Sequence, residues 1–233
     1  MIKQRSVIAL VVGLVLTMGV VAPASALQPD NSGNPELAEL RDFFDEYGVG
    51  KGAQGKLIAK HLSGGTWEAA SSDNTPVATE TYEEDGNDVT VNRYSDGSVN
   101  VLKVEQPADQ STERFSTQAI SGCASSTSGS ESRRTGCKVD FWYGLVSMSF
   151  YASFTYVTPG YDRIDEVWGA RYTIGGACST NRNFFGIQKK YENVYGPARA
   201  RLEVQAQVCG VPYTTTFFLQ LTVGSGGAQY TYG

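Results

Sequence analysis

Strict alternation of apolar and polar residues in the second half of the chain constrains the fold more than any other feature of the sequence. From Val146 to Tyr156 every second residue is apolar, and most of the residues between carry hydroxyl groups. The same period of two recurs from Arg199 to Val208 and from Thr216 to Val223. Successive side chains of a β-strand point to opposite faces, so each segment predicts a strand with one buried face.

Glycine and proline separate these segments and predict turns. The turn sequences are Pro159-Gly160, Gly175-Gly176, Gly196-Pro197 and Gly210-Val211-Pro212. One-sided strands joined by short turns favour an antiparallel β-sandwich, with a β-barrel as the alternative.

All four cysteines, Cys123, Cys137, Cys178 and Cys209, lie in this β-rich segment. Four cysteines allow three pairings, and sequence alone does not decide between them. We favour Cys123 with Cys137, which bracket a loop-like stretch, and Cys178 with Cys209, which bracket a strand-turn-strand pattern. The cysteines lack the close paired spacing of a zinc site, and we expect no cofactor.

The first 26 residues have the features of a secretory signal peptide. Lys3 and Arg5 precede an apolar run of about 15 residues, shorter than the roughly 20 that span a membrane, and Ala24-Ser25-Ala26 offers a cleavage site. No cysteine follows the run to accept a lipid, and no second apolar stretch occurs. We expect a mature chain from Leu27 that is secreted, extracellular and without a stable membrane anchor.

Charge is distributed unevenly along the mature chain. Removing the signal peptide takes away two basic residues and no acidic ones, which changes the formal net charge from −5 to −7. Residues 27–118 carry 17 acidic and 7 basic residues, whereas residues 119–233 carry 7 acidic and 10 basic residues. The asymmetry predicts two segments of different character, and the negative net charge disfavours nucleic-acid binding.

Residues 27–105 predict a helical hairpin followed by a three-stranded β-meander. Asn34 and Pro35 begin a helix that runs to Tyr47 with one apolar stripe, and a second helix is expected from Ala53 to Leu62. The period then changes to two, and strands separated by Asp-Gly turns are expected at Val77–Tyr82, Val89–Tyr94 and Val99–Glu105. So small a sheet needs a cover over its valine-rich face.

A polar stretch follows the meander and predicts a boundary. Residues 106–122 have the composition of a linker, and the low apolar content continues to Ser132. We therefore divide the chain into a signal peptide at 1–26, an acidic part at 27–105, a linker at 106–122 and a sandwich domain at 123–233.

Arg133 and Arg134 form a dibasic pair between Cys123 and Cys137. If these cysteines are bonded, the pair lies on a closed loop, as in a substrate-like protease inhibitor whose pre-ordering lowers the entropic cost of binding. An ordinary basic loop is the alternative.

Asp162, Asp165 and Glu166 form the densest acidic group, with aromatic residues nearby. Two carboxylates at a suitable separation can hydrolyse a glycoside, so Asp162 and Glu166 are candidate hydrolase residues. The three residues are also a candidate calcium site, although their spacing lacks the EF-hand pattern. A solvated loop with a salt bridge to Arg163 is the alternative.

Aromatic residues flanked by polar ones can stack on sugars or anchor protein partners. The second half of the chain is rich in such residues, although most of the rings are expected in the core. The candidate binding residues are Arg133, Arg134, Tyr151, Arg199, Arg201 and Gln205. The partner is expected to be an extracellular glycan or protein.

His61 is the only histidine of the chain, and a Ser-His-Asp or Cys-His site would have to use it. No Gly-x-Ser-x-Gly nucleophile sequence occurs in the mature chain. We expect a helix residue without a catalytic role.

Part of the acidic segment resembles a known group of sequences. The run from Asp42 to Val49, Gln54, Leu57-Ile58 and the hairpin from Tyr94 to Val99 are similar to the N-terminal part of uncharacterised exported proteins of high-GC Gram-positive bacteria. The resemblance implies secretion and carries no activity, cofactor or catalytic residue.

Together these observations favour a secreted, non-enzymatic binding protein that acts at or beyond the cell surface, with a glycan or the cell wall as its ligand. A protease inhibitor using Arg133 and Arg134 is the first alternative. A hydrolase using Asp162 and Glu166 is the second.

Overall fold

The computed structural model describes residues 35–107, 122–209 and 214–233. Two helices precede the β-strands in the chain. Helix α1 spans Pro35–Glu46 and α2 spans Lys51–Leu62, so both predicted helices are confirmed. A 3₁₀ turn at Glu68–Ala70 follows. The predicted signal peptide, the Asn34 cap, the turn at 210–212 and most of the predicted linker lie outside the described residues.

The described part of the chain contains eleven strands. They confirm the predicted meander, which is formed by the first three strands, and the three alternating segments, which are the sixth, ninth and tenth strands. Their bounds are β1 Ala78–Glu84, β2 Asn87–Arg93, β3 Val99–Glu105, β4 Ala124–Ser128, β5 Glu131–Trp142, β6 Val146–Val157, β7 Arg163–Ile174, β8 Ala177–Lys189, β9 Ala198–Val208, β10 Thr214–Gly224 and β11 Gly227–Tyr232.

Within the described residues these strands form two antiparallel sheets. The larger sheet has the order β1-β2-β3-β5-β6-β7, with β4 beside the first half of β5. The smaller sheet has the order β11-β10-β9-β8. The fold is therefore mainly β, as the alternating segments predict.

The two sheets pack face to face as a sandwich. Phe141 of the larger sheet stacks on Tyr232 of the smaller sheet at 4.0 Å between ring centroids, and Phe150 lies 5.8 Å from Phe185. Leu202 and its alternate neighbours on β9 are buried on the same inner face. This confirms the predicted disulfide-stapled sandwich over the barrel.

The helical hairpin covers the opposite face of the larger sheet at its meander end. The ring of Phe43 on α1 lies 4.4 Å from that of Trp142 on β5, and Arg93 donates a hydrogen bond to the carbonyl oxygen of Tyr47 at 2.7 Å. The meander valines buried beneath the hairpin are Val89, Val91, Val99 and Val101. The cover that so small a sheet requires is thus supplied by α1.

The meander and the cysteine-bearing strands belong to one sheet. Strand β3 pairs with β5, with Val101 opposite Trp142 and Val104 opposite Val139. The described residues from Pro35 to Gly233 form one compact unit. The segment at 106–122 therefore connects strands of one sheet.

The Ser-rich run after Cys123 forms a hairpin, which corrects the expected loop. Strand β4 pairs with the first half of β5, from Ala124 opposite Thr135 to Ser128 opposite Glu131. This run has no apolar alternation to reveal a strand, because its side chains are half-buried or exposed. Its pairing is stabilised at the open end by the predicted disulfide bond between Cys123 and Cys137.

Both predicted disulfide pairings are confirmed. Cys123 is bonded to Cys137 at the open end of the β4–β5 hairpin, and Cys178 at the start of β8 is bonded to Cys209 just beyond β9. In the chain-entropy model each bridge contributes roughly 3 to 4 kcal/mol by restricting the unfolded chain.

A buried polar cluster joins the helical segment to both sheets. The amide nitrogen of Asn100 on β3 lies 3.0 Å from the carbonyl oxygen of Ala69, 2.9 Å from the hydroxyl of Tyr94 and 2.8 Å from that of Tyr232. The two hydroxyls are 3.0 Å apart, and the Asn100 carbonyl oxygen accepts a hydrogen bond from Asn92 at 3.0 Å. These groups satisfy one another in a site that excludes water.

Replacing Asn100 by leucine is expected to lower the free energy of unfolding by about 2–3 kcal/mol, because it leaves the Ala69 carbonyl without its partner and the two hydroxyls bonded only to each other. Asn183→Ala, at an exposed position on β8, is the matched control and should change stability by less than about 0.5 kcal/mol. Urea unfolding of both variants measures the difference. Equal stabilities would contradict the structural role of the cluster.

Candidate functional site

The sandwich has two outer faces, and the candidate binding residues are divided between them. Tyr151 lies on the outer face of the larger sheet, because its neighbour Phe150 points into the core. Arg199, Arg201 and Gln205 alternate with buried residues of β9 and lie on the outer face of the smaller sheet. The two groups are on opposite sides of the molecule and cannot form one site.

The outer face of the larger sheet is only partly covered, and a groove lies beside α1. We call it the sheet groove. It has a volume of about 1080 Å³, and Glu36 and Glu39 of α1 line one side of it. Its floor consists of two rows of cross-strand neighbours, Trp142-Ser147-Thr173 and Asp140-Ser149-Arg171.

The charges on this floor are mostly paired. Lys138 donates a hydrogen bond to Asp140 at 2.6 Å, and Lys103, which stands opposite Asp140, forms a salt bridge with Glu84 at 3.3 Å. Arg171 is exposed on the edge strand β7 and takes part in no salt bridge with any described residue. The floor therefore offers hydrogen-bonding groups and one cation to a polar ligand.

The hydroxyl-bearing side chains of β6 lie low on this face. Ser149, Ser153 and Thr155 are buried although they point away from the core, because longer side chains on the flanking strands surround them. Thr155 donates a hydrogen bond to Asp165 at 2.7 Å, and the Gly136 amide donates one to Ser153. The alternation in the sequence assigns these residues to the outer face but does not reveal their burial.

An aromatic pair lies one row beyond the groove floor. The rings of Tyr151 and Trp168 are stacked, with centroids 5.9 Å apart and planes 15° from parallel, and Trp168 is 37% exposed. Gly169 has φ of +64°, and a Cβ atom there would lie 2.9 Å from Tyr151 Cδ2. Glycine at this position therefore allows the Tyr151 ring to lie flat against β7.

Trp168 is a site residue that the sequence pattern does not identify. The pairing of β6 with β7 shifts between Ser149 and Tyr151, so the alternation along β7 is interrupted near Trp168. The alternation of side chains along the strand therefore does not predict on which face of the sheet the Trp168 ring lies. The clustering of glycine with aromatic residues at this point is the available signal.

Two of the three candidate residues on the smaller sheet, Arg201 and Gln205, have partners on that sheet. The Arg201 guanidinium lies 3.7 Å from the centre of the Phe218 ring and forms a salt bridge with Glu203 at 3.0 Å. Gln205 donates a hydrogen bond to Thr214 at 3.2 Å. Because Arg201 and Gln205 already have partners, we place the candidate site on the other face.

Arg133 and Arg134 lie inside β5, which corrects their expected position on an exposed loop. They pair with Ser126 and Ser125 of β4 on one side and with β6 on the other. A substrate-like inhibitor must present an extended segment whose backbone is free to bind a protease. Both neighbours of this segment are strands, so the geometry does not support the inhibitor interpretation.

Asp162 and Glu166 do not face a common site. Asp162 is 2% exposed, and its carboxylate accepts hydrogen bonds from the backbone amides of Val157 and Gly226, both at 2.8 Å. Glu166 is exposed on β7. A glycosidase needs both carboxyl groups at the scissile bond, so the geometry does not support this pair as a hydrolase site.

The predicted calcium site is not assembled either. Asp165 lies in β7 rather than on a loop, where it accepts hydrogen bonds from Arg163 at 2.9 Å and Thr155 at 2.7 Å. The salt bridge to Arg163 proposed as the alternative is therefore present. No group of three or more His, Cys, Asp or Glu side chains in the described ranges is arranged to hold a metal ion.

Two properties bear on the compartment of the protein. The two disulfide bonds are typical of an oxidising environment such as the cell exterior. In the part of the chain that the structure describes, neither helix has the length and hydrophobicity needed to cross a bilayer.

His61 packs near the end of α2 against Trp67 and the turn at Gly176. The rings of His61 and Trp67 are 6.0 Å apart, and a Cβ atom on Gly176 would lie 3.4 Å from the imidazole. Burial lowers the pKa of His61 below its usual value of 6.5, and the negative charge of Glu36 opposes this shift only in part. These contacts indicate a packing role.

Comparison with known proteins gives no family assignment. No protein-family model matches the chain, and no curated protein and no solved structure matches it. Function is therefore inferred from the residues of this chain.

The lowered pKa of His61 predicts a pH dependence of stability. The folded state holds fewer protons than the unfolded state once the pH falls below about 6.5, so the free energy of unfolding should decrease between about pH 7.5 and about pH 5.5. Urea unfolding across this range should show a smaller decrease for His61→Gln than for the native chain.

The titration of the ion-paired carboxylate of Glu131 lies below the pH range of this measurement. Arg163 holds the pKa of Glu131 below its usual value of 4.5 through hydrogen bonds, so its contribution to stability is lost only at lower pH. Identical pH slopes for the native chain and His61→Gln would contradict the prediction.

Proposed function

We propose that the protein is an exported, non-enzymatic binding protein that holds an extracellular glycan on the outer face of its larger sheet. The observation that carries this proposal is the sheet groove beside α1, with the stacked Tyr151 and Trp168 pair at its end. Export is supported by the signal-like N-terminus and by the two disulfide bonds.

The chemistry of this surface suits a carbohydrate better than a nonpolar ligand. Sugars combine apolar ring faces with many hydroxyl groups, so they bind where an aromatic ring lies beside charged and hydroxyl side chains. Trp168 supplies the partly exposed ring, while Asp140, Thr173 and Arg171 supply donors and acceptors along the floor. A rigid sheet holds these groups in place, which lowers the entropic cost of binding.

The length of the groove favours a chain of sugars over a single unit. Its volume of about 1080 Å³ lies at the upper end of the range for small-molecule sites, and it is open to solvent along the sheet. The aromatic pair lies one row beyond the groove floor, so a bound ligand that reaches both must extend along β6 and β7. A polysaccharide or the glycan strand of a cell wall has that form.

Trp168→Ala is expected to reduce retention on insoluble polysaccharide and cell-wall preparations by about tenfold, because it removes the exposed ring of the aromatic pair. Co-sedimentation of the purified mature protein, titrated against each preparation, measures the binding. Saturable retention that a defined soluble sugar releases identifies the ligand.

Tyr195→Ala is the matched control. Tyr195 is more exposed than Trp168 and lies on a loop away from the groove, so its replacement should leave retention unchanged. Absence of retention on every preparation, or equal retention of the native chain and Trp168→Ala, would contradict the proposal.

A further inference from the structure

Three loops meet at one end of the sandwich and form a surface unrelated to the sheet groove. They are residues 158–162 before β7, residues 190–197 between β8 and β9, and the turn between β10 and β11. The first two run antiparallel: the backbone amide of Glu192 donates a hydrogen bond to the Asp162 carbonyl at 2.8 Å, and that of Ile164 donates to the Lys190 carbonyl at 2.9 Å. The loops are therefore joined by backbone hydrogen bonds.

Two carboxylates further cross-link these loops. Asp162 accepts hydrogen bonds from Val157 and from Gly226, which belongs to the third loop. Glu192 accepts one from the backbone amide of Ser225 at 2.9 Å and one from that of Asp162 at 3.2 Å. Each of the three loops is thus hydrogen-bonded to the other two, so the loops have one fixed arrangement in the unbound protein.

This rigid base displays apolar side chains to solvent. Tyr161 is 54% exposed, Tyr191 56%, Val194 77% and Tyr195 91%. We call these four residues the tyrosine patch. Asn193 holds the loop that carries Val194 and Tyr195. Its side chain accepts a hydrogen bond from the Tyr195 amide at 2.9 Å, and its backbone forms two hydrogen bonds with that of Gly196. Exposed rings on a rigid loop carry a solvation cost in the free protein that binding to a partner removes.

The charge around the tyrosine patch is positive. Lys190 lies 5.9 Å from the Tyr191 ring, and Lys189 and Arg199 are cross-strand neighbours at the ends of β8 and β9. Lys189 donates hydrogen bonds to the Asn193 side chain and to the Gly196 carbonyl, both at 2.7 Å, whereas Lys190 and Arg199 form no salt bridge with any described residue. The carboxylates of Asp162 and Glu192 accept hydrogen bonds from backbone amides. This local excess of cations contrasts with the net charge of −5 of the whole chain.

We propose that the tyrosine patch binds an acidic segment of a partner protein. Tyrosine on rigid loops supplies large contact area at low entropic cost, which is how loops at the end of a sandwich recognise proteins. Val194 fits an apolar side chain of the partner, and Lys190 and Arg199 select for carboxylates around it. The inference does not depend on glycan binding, because none of its residues lines the sheet groove.

Peptide selection tests this proposal without knowledge of the natural partner. A displayed library of random linear peptides is panned against the native mature protein after depletion on the Tyr195→Ser, Lys190→Glu double variant. Enriched peptides are then synthesised, and their affinities are measured by titration against the native chain and single variants. Both replaced side chains are exposed, so the variants should fold.

The expected result is enrichment of acidic peptides that carry aromatic or aliphatic residues. Tyr195→Ser and Lys190→Glu should each weaken their binding by about tenfold or more, as for central residues of an interface. Val77→Ser, which replaces an exposed valine at the far edge of the larger sheet, is the matched control and should bind as the native chain does.

Three results would overturn the proposal. One is the absence of peptides that distinguish the native chain from the double variant, and another is enrichment of neutral or basic peptides. The third is binding to phosphatidylglycerol vesicles that Tyr195→Ser abolishes, which would assign the tyrosine patch to a membrane surface. Trp168→Ala should leave peptide binding unchanged, so failure of the glycan proposal and failure of this one are separable.

Discussion

Burial of the central strands on both faces is the constraint on which the rest of the structure depends. On one face Trp142 of β5 packs against Phe43 of α1, and on the other Phe141 stacks on Tyr232 of the smaller sheet. Asn100 of β3 is also buried, and its amide contacts the 3₁₀ turn, the meander and the last strand. A buried amide is stable only when its neighbours supply hydrogen-bond partners, so the helices and both sheets fix one another's positions.

The same constraint leaves one surface open. Helix α1 covers the meander end of the larger sheet but leaves part of β6 and β7 uncovered. The sheet groove lies between the first turns of this helix and these strands. Glu39 of the helix and Arg171 of the edge strand face the same cleft although they are far apart in sequence. The tyrosine patch lies at a loop end of the sandwich and is organised separately, by Asp162 and Glu192. One fold therefore carries two surfaces of different chemistry.

The strongest sequence predictions concern features whose physical cause is local. The alternation from Val146 to Tyr156 places Phe150 in the core because strand geometry alone fixes that period. Hydrophobic spacing likewise predicts α1. Features that depend on distant partners were not predictable. The Ser-rich strand β4 is paired without an apolar face, and Asp162 is satisfied by the amide of Gly226, which lies 64 residues away.

The sequence by itself determined the helices, the main strands and the face that each alternating strand buries, whereas the structure decided between the possible disulfide pairings. The helices and strands follow from periodicity and turn residues, which act over short distances. The tertiary structure decided which candidates meet. It placed Tyr151 and Arg201 on opposite sides, paired the backbone of Arg133 with a strand on each side and brought Trp168 beside Tyr151 across a shift in register. Sites are formed by side chains from several strands, and their meeting depends on sheet order and register, which no single segment of sequence specifies.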